Sequence, residues 1–313
     1  MTWLSDAAVK HLCDIADRPD LSGTPYELAE PIARGGMGTV YRARDRRLER
    51  DVALKVMHAP APSPSEIERM RVEARILARL EHPGIVPVHD LGALPDGRLF
   101  YVMKLVRGRR LDEAVRDQPL HARLRIFARI CEAVAFAHAQ GVVHRDLKPE
   151  NVMVGPFGEV LVLDWGVARI LGGAPLAPPS SIDEPLGTVL GTPGFMAPEQ
   201  ARGDMALVDE RADVHALGAV LRHLLAPQGG RHAPAALEAV CARAMATHPG
   251  DRYASVGELA AEVERFLDAR PVRAYPEGPV ERGRRLAAKY RTPLLLVTAY
   301  LLMRVLLALV TRM

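Results

Sequence analysis

The sequence predicts an α+β chain with a small strand-rich lobe, a larger helical lobe and a hydrophobic C-terminal helix. Three observations carry this. From Tyr26 to Val106 the apolar residues mostly alternate, interrupted by one helical stretch. From Leu111 onward their spacing becomes mostly helical. The run "LLLVTAYLLMRVLLALV", Leu294 to Val310, is apolar on all sides of a helix except at Arg304.

Residues 1–25 read as a leader, helical over Asp6–Asp17. Strands are expected over Tyr26–Ala33, Thr39–Ala43 and Asp51–Met57. In the third, alternation puts Val52, Leu54 and Val56 on one face and Ala53 and Lys55 on the other. A Pro-rich link, "APAPSPS", ends at Ser65. Ser65 and Glu68 suggest a capping box, after which Ile67, Met70, Ala74, Leu77 and Leu80 follow helical spacing. "HPGIVPVHDLG" and "GRLFYVMKLV" read as two further strands around a turn at Pro95-Asp96-Gly97. Leu124, Phe127, Ile130, Val134 and His138 mark one face of a helix that stops at Gly141. "GGAPLAPPSSIDEP" (172–185) is a loop by composition, and residues 271–292 are a polar, basic connector.

Composition narrows the function. The 313 residues are 49% hydrophobic, enough for one large core or two lobes. With 41 basic and 38 acidic residues the net charge is +3, which makes no case for nucleic-acid binding. Cys13, Cys131 and Cys241 have neither metal-ligand spacing nor a disulfide framework, which points to a reducing compartment. The N-terminus lacks the apolar stretch of a signal peptide.

Polar chemistry concentrates in a few places. "HRDLKPEN" (144–151) lies between the apolar flanks Val142-Val143 and Val152-Met153-Val154. "IARGGMGTVYRA" (32–43) sets glycines between two strands, where backbone N–H groups can approach phosphates. By itself a glycine turn in a hairpin is only a turn. Lys55 shares a strand face with the small Ala53, which suits a cation reaching into a pocket. Glu73, on the stripe of the following helix that holds Leu77, is its natural counter-charge. Asp164 ends the short buried strand Leu161-Val162-Leu163 beside Trp165-Gly166. With Asn151 it offers hard oxygen donors of the kind Mg²⁺ prefers. "GTPGFMAPEQ" (191–200) is a Gly/Pro-rich loop. Each piece is weak alone; their order and spacing together are specific.

In that order the motifs resemble those of the protein kinases, and within them the bacterial, eukaryotic-like Ser/Thr kinases. The resemblance covers about residues 26–270 and implies the two-lobed protein kinase fold, with lobes over 26–103 and 104–270. It implies ATP and Mg²⁺ as cofactors and protein substrates with Ser/Thr acceptors. Asp146 would accept or orient the proton of the attacking hydroxyl, and Lys148 would neutralise charge on the γ-phosphate. Asn151 and Asp164 would hold Mg²⁺, and Lys55, paired with Glu73, would grip the α/β-phosphates. Ile32, Ala33, Gly35, Gly36 and Gly38 would form the phosphate loop. Val40, Ala53 and Met153 would sandwich the adenine, with Met103 as gatekeeper and the hinge over Lys104-Leu105-Val106. His144, Trp165 and Leu77 would stack, Glu199 would pair with Arg252, and Asp213 would anchor the catalytic loop. "DLKPEN" and Thr192 of "GTP", the usual partner of Asp146 and Lys148, are similar to the Ser/Thr class. Three positions depart from the pattern: Ala33 for the first loop glycine, Trp165 for Phe, and Lys104 where an acid is common. None removes a group that performs chemistry. The alternatives are a scaffold that binds nucleotide without catalysis and a small-molecule phosphotransferase, which would not need "GTPGFMAPEQ".

Arg145 implies a negative partner in the segment from Asp164 to Glu199. Phosphorylated Ser180, Ser181 or Thr188 would serve, Thr188 being nearest "GTPGFMAPEQ", which resembles a protein-substrate docking segment; Asp183 or Glu184 could act unmodified. Such phosphorylation could arise by self-association. The C-terminal run, in the segment 293–311, would be about 26 Å long as a helix, just short of the roughly 30 Å hydrocarbon core. Arg282, Arg284, Arg285, Lys289 and Arg291 precede it and would keep the lobes cytoplasmic. A membrane anchor is therefore expected; a helix packed on the domain or on a second copy is the alternative.

Overall fold

A computed structural model of the protein describes residues 18–35, 38–58, 62–170, 192–204, 207–226, 233–283 and 290–310. The expected leader helix, Gly36, Ser180, Ser181 and Thr188 lie outside the described residues.

Three antiparallel strands open the chain: β1 (Tyr26–Arg34), β2 (Gly38–Asp45) and β3 (Arg50–Met57). Helix α1 (Pro64–Arg79) follows, then β4 (Val88–Ala93) and β5 (Leu99–Lys104). The sheet order is β1-β2-β3-β5-β4. Its two faces do different work, as the alternation predicts. Val52, Leu54 and Val56 pack with Tyr26, Tyr41, Phe100 and Val102 into a small core on one side. Register pairs Lys55 with Val40 and Tyr101, and Ala53 with Met103, so these residues share the opposite face.

Helix α1 begins two residues before the expected place. Ser63, not Ser65, caps it: the Glu66 N–H donates to Ser63 Oγ at 3.3 Å, and the Ser63 N–H donates to Glu66 Oε2 at 2.8 Å. Both serines stand three residues before a glutamate. The earlier register also puts Pro64 in the first turn, where its missing N–H costs nothing. The strand expected over 82–92 begins only at Val88. Pro83 and Pro87 lack ladder donors, so this stretch makes a turn and a single bridge from Ile85 to Val162. The Val162 N–H also donates to the Gly84 carbonyl at 2.8 Å, hooking the strand lobe onto the helical one. A Cβ on Gly84 would press on that of Ala133.

The second lobe runs through β6 (Arg109–Arg110), α2 (Leu111–Ala114), α3 (Leu120–Ala139), β7 (Val142–Val143), β8 (Val152–Val154), β9 (Val160–Val162) and β10 (Arg169–Ile170). Then come α4 (Pro198–Ala201), α5 (Glu210–Leu224), α6 (Ala235–Ala244) and α7 (Val256–Leu267). Leu124, Phe127, Ile130, Val134 and His138 are the buried face of α3, and Gly141 ends it at φ 75°. The main core joins α1, α3, α5, α6 and α7. The expected connector starts packed, since Val272 is buried in that core. Helix α8 (Arg291–Val310) forms where the apolar run predicts a helix. Among the described residues, however, no helix is long and apolar enough to cross a membrane, so the expected span finds no support there. Arg304 breaks the apolar run, its guanidinium 3.5 Å from the Tyr300 hydroxyl one turn back.

Candidate active site

Two clusters of polar side chains meet between the lobes. The first is built on the sheet. Lys55 Nζ is 2.7 Å from Glu73 Oε1 and 3.8 Å from Asp164 Oδ1. Burial alone would lower the lysine's pKa, but the Glu73 and Asp164 carboxylates around it outweigh that and hold the ammonium protonated. The Tyr101 hydroxyl donates to the same Glu73 oxygen at 2.9 Å. Glu73 Oε2 is buried with no hydrogen-bond partner among the described residues. Asp164, at φ 58°, is over half exposed, so its carboxylate is open to a ligand.

The second cluster is the 144–151 loop. Lys148 Nζ donates to Asp146 Oδ2 at 2.7 Å and to Thr192 Oγ1 at 2.6 Å. The Thr192 hydroxyl donates to Asp146 Oδ1 at 2.9 Å, closing a triangle of carboxylate, ammonium and hydroxyl. Asn151 spends its amide N–H on the Asp146 carbonyl at 2.8 Å and on Oδ2 at 3.2 Å, which leaves its own oxygen available. The Leu163 N–H donates to the Asn151 carbonyl at 2.8 Å, which sets Asp164 beside the loop. Among the described residues no three His, Cys, Asp or Glu form a metal cage. One amide oxygen and one open carboxylate fit Mg²⁺, whose remaining positions are filled by phosphate and water.

The loop holds this shape because a buried acid binds its backbone. Asp213, in α5, accepts the His144 N–H and the Arg145 N–H, each at 2.8 Å, and pairs with His138 Nε2 at 2.8 Å. Burial alone would raise its pKa, but His138 and these bonds hold it below the usual carboxylate range. They also hold Arg145 at φ 68°, a region few non-glycine residues adopt. Arg145 is buried, its Nε donating to the Val167 carbonyl at 2.6 Å. The His144 and Trp165 rings lie 4.6 Å apart, tilted, and Trp165 shares a core with Leu77. Trp165 therefore fills its place as a large apolar ring. Glu199 and Arg252 form a bidentate pair, both contacts 2.7 Å.

The positions expected to face a nucleotide divide between the lobes. Ile32 and Ala33 are exposed on β1; Val40, Met103 and Leu105 are half-buried, and Ala53 is buried. Met153 is half-buried on β8. Gly35 and Gly38 close the loop, with the Gly35 N–H donating to the Gly38 carbonyl at 2.9 Å. A Cβ on Gly38 would collide with the Val56 carbonyl oxygen, so that glycine serves strand packing as well as loop shape.

Two residues escaped the sequence reading. His58, just beyond β3, places Nε2 2.7 Å from the Gly35 carbonyl and Nδ1 3.4 Å from Thr39 Oγ1, bracing the glycine loop. Tyr101 had a signal, since it lies on the strand two residues before Met103. Its bond to Glu73, however, depends on how α1 packs.

A family model described as "Protein kinase domain" matches residues 26–234. The serine/threonine-protein kinase PknB of Mycolicibacterium smegmatis is 37% identical over 300 residues, covering 84% of this chain and 46% of that protein. The serine/threonine-protein kinase PknD of Protochlamydia amoebophila is 31% identical over 316 residues, covering 82% and 32%. The chain thus spans less than half the length of either relative. The crystal structure of the Mycobacterium tuberculosis PknI kinase domain superposes with a TM-score of 0.57 at 27% identity, over 77% of this chain and 96% of that one.

Proposed function

The chain belongs to the protein kinase family, and from that premise we propose that it transfers the γ-phosphate of ATP to Ser/Thr hydroxyls of protein substrates. The observation that carries this is the triangle of Asp146, Lys148 and Thr192. A carboxylate already bonded to a threonine hydroxyl and an ammonium is arranged to orient an attacking hydroxyl, take its proton and balance phosphoryl charge. The relatives' names, serine/threonine-protein kinase, support the same acceptor class.

In this reading Asp146 orients the acceptor and receives its proton, while Lys148 offsets charge on the transferred group. Lys55, held by Glu73, positions the α/β-phosphates. Asn151 and Asp164 hold Mg²⁺, which supplies charge neutralisation of the phosphates when bound. Ile32, Ala33, Gly35, Gly36 and Gly38 cover the phosphates; Val40, Ala53, Met103, Leu105 and Met153 receive the base. The domain extends over 26–270, with the lobes dividing at 103 and 104. Positioning and electrostatics are what phosphoryl transfer asks for, and these residues supply both.

Autophosphorylation within 172–192 through self-association is a finer part of the proposal, supported by the Ser180, Ser181 and Thr188 hydroxyls that the segment carries. Mass spectrometry of active protein decides it; full activity with that segment unmodified overturns it. Membrane attachment through residues 293–311 rests on the leucine-rich sequence and the arginines before it. Release of the full chain by alkaline carbonate would end that part.

Asp146→Ala tests the central claim. It should abolish incorporation of labelled phosphate while leaving ATP binding nearly intact. Retention of more than about a tenth of wild-type turnover, which is under 1.4 kcal/mol of barrier, removes Asp146 from this role.

A further inference from the structure

We propose that Tyr101 is a positioning residue for this reaction: its hydroxyl fixes Glu73, and through it helix α1 and Lys55, in the working arrangement. The inference rests on the phosphotransfer reading of the site. Tyr101 is buried on β5, directly opposite Lys55 in the register. Its strand neighbours Phe100 and Val102 are plain apolar residues, and an apolar side chain would fill the same space. The hydroxyl adds a donor in a place where a donor needs a partner, and it finds Glu73 Oε1 at 2.9 Å.

That oxygen already receives Lys55 at 2.7 Å, and the ammonium lies 5.6 Å from the Tyr101 ring centroid. The other Glu73 oxygen has no hydrogen-bond partner among the described residues. Glu73 is thus tied to the sheet by two donors on one atom. Of these, Lys55 is shared with Asp164 and is the group that phosphates would draw upon. Among the described residues the Tyr101 hydroxyl bonds Glu73 alone. It keeps the carboxylate, and the helix that carries it, against the sheet when the lysine turns to a nucleotide.

Tyr101→Phe keeps the ring and removes the hydroxyl. A packing role alone predicts wild-type behaviour. The positioning role predicts that kcat falls by about tenfold or more, the scale of a hydrogen bond to a charged group, with KM for ATP little changed. It also predicts faster amide hydrogen exchange across Pro64–Arg79 at an unchanged global unfolding midpoint. In a Glu73→Ala background the same change should alter neither residual rate nor exchange. Wild-type kcat or wild-type exchange in Tyr101→Phe overturns the proposal, as does a loss that persists undiminished without Glu73. Exchange needs no catalysis: if the wild type transfers no phosphate, the functional reading falls, and exchange across α1 still decides the role of Tyr101.

Discussion

Two buried acid–base pairs, one in each lobe, are built on opposite plans. Arg252 places all five of its N–H groups: two on Glu199, and one each on the carbonyls of Ala246, Arg211 and Thr247. Neither side chain of that pair is exposed at all. In the strand lobe Lys55 and Glu73 meet through a single carboxylate oxygen, and Asp164, 3.8 Å away, competes for the lysine. A fully satisfied buried pair is costly to break from either side, because breaking it strands a charge out of water. A pair held through one atom, beside the exposed carboxylate of Asp164, can rearrange. The first ties helix α4 to the rest of the helical lobe as a fixed clamp; the second is a latch between helix α1 and the sheet.

The comparison breaks most visibly at the clamp. Arg252→Ala should cost about 3–5 kcal/mol of unfolding free energy, read from the urea midpoint, because Glu199 is left buried without its partner. A loss below about 1 kcal/mol would mean that the clamp is ordinary. Lys55→Met should show the reverse balance. Transfer should fall about a hundredfold or more, roughly 2.7 kcal/mol of barrier, with a smaller shift in urea midpoint than Arg252→Ala gives, because Tyr101 still donates to the Glu73 carboxylate. Equal destabilisation by the two variants would erase the difference between clamp and latch.

Acid sharpens the comparison further. Burial alone would raise the Glu199 pKa, but Arg252 outweighs it and holds the carboxyl below its usual value, as His138 and the loop backbone do for Asp213. Both folded-state values are depressed. Their stabilisation is therefore complete above the unfolded carboxylate range, about pH 4, and is lost as pH falls through the folded values. Denaturant titrations from pH 6 down to 3 should show this loss, and Arg252→Ala should flatten the part due to Glu199. A wild-type profile with no acid loss would contradict it. The smallest effect is expected at the glycine loop. His58→Ala removes the brace on Gly35 and should raise KM for ATP by about two- to fivefold, with kcat and stability near wild type. An unchanged KM would show that the loop holds itself.

Much of this was legible in the sequence because its signals are local. Alternation in "DVALKVM" set Lys55 and Ala53 on the face opposite Val52, Leu54 and Val56, and the sheet has that arrangement. The spacing of Leu124 through His138 identified the buried face of α3. The order of glycine loop, lysine, glutamate, "HRDLKPEN" and strand-tip aspartate named the residues that converge between the lobes. Local rules misled where two registers were equally allowed. Ser63 and Ser65 each precede a glutamate by three, and only the earlier one also puts proline in the first turn. At residues 82–87 the apolar pattern favours a strand, but Pro83 and Pro87 lack the ladder donors and the chain turns instead.

The sequence by itself determined the fold class, the strand faces and which polar side chains gather between the lobes, since periodicity and motif spacing are properties of neighbouring residues. Only the tertiary structure decided that Tyr101 reaches Glu73 across 28 residues and shares its oxygen with Lys55, and that His58 reaches back 23 residues to the glycine loop. It likewise decided that Gly38 has no room for a Cβ beneath Val56. A hydroxyl, an imidazole or a hydrogen atom acquires such a role only from what packing brings within about 3 Å of it, and no local pattern encodes that distance.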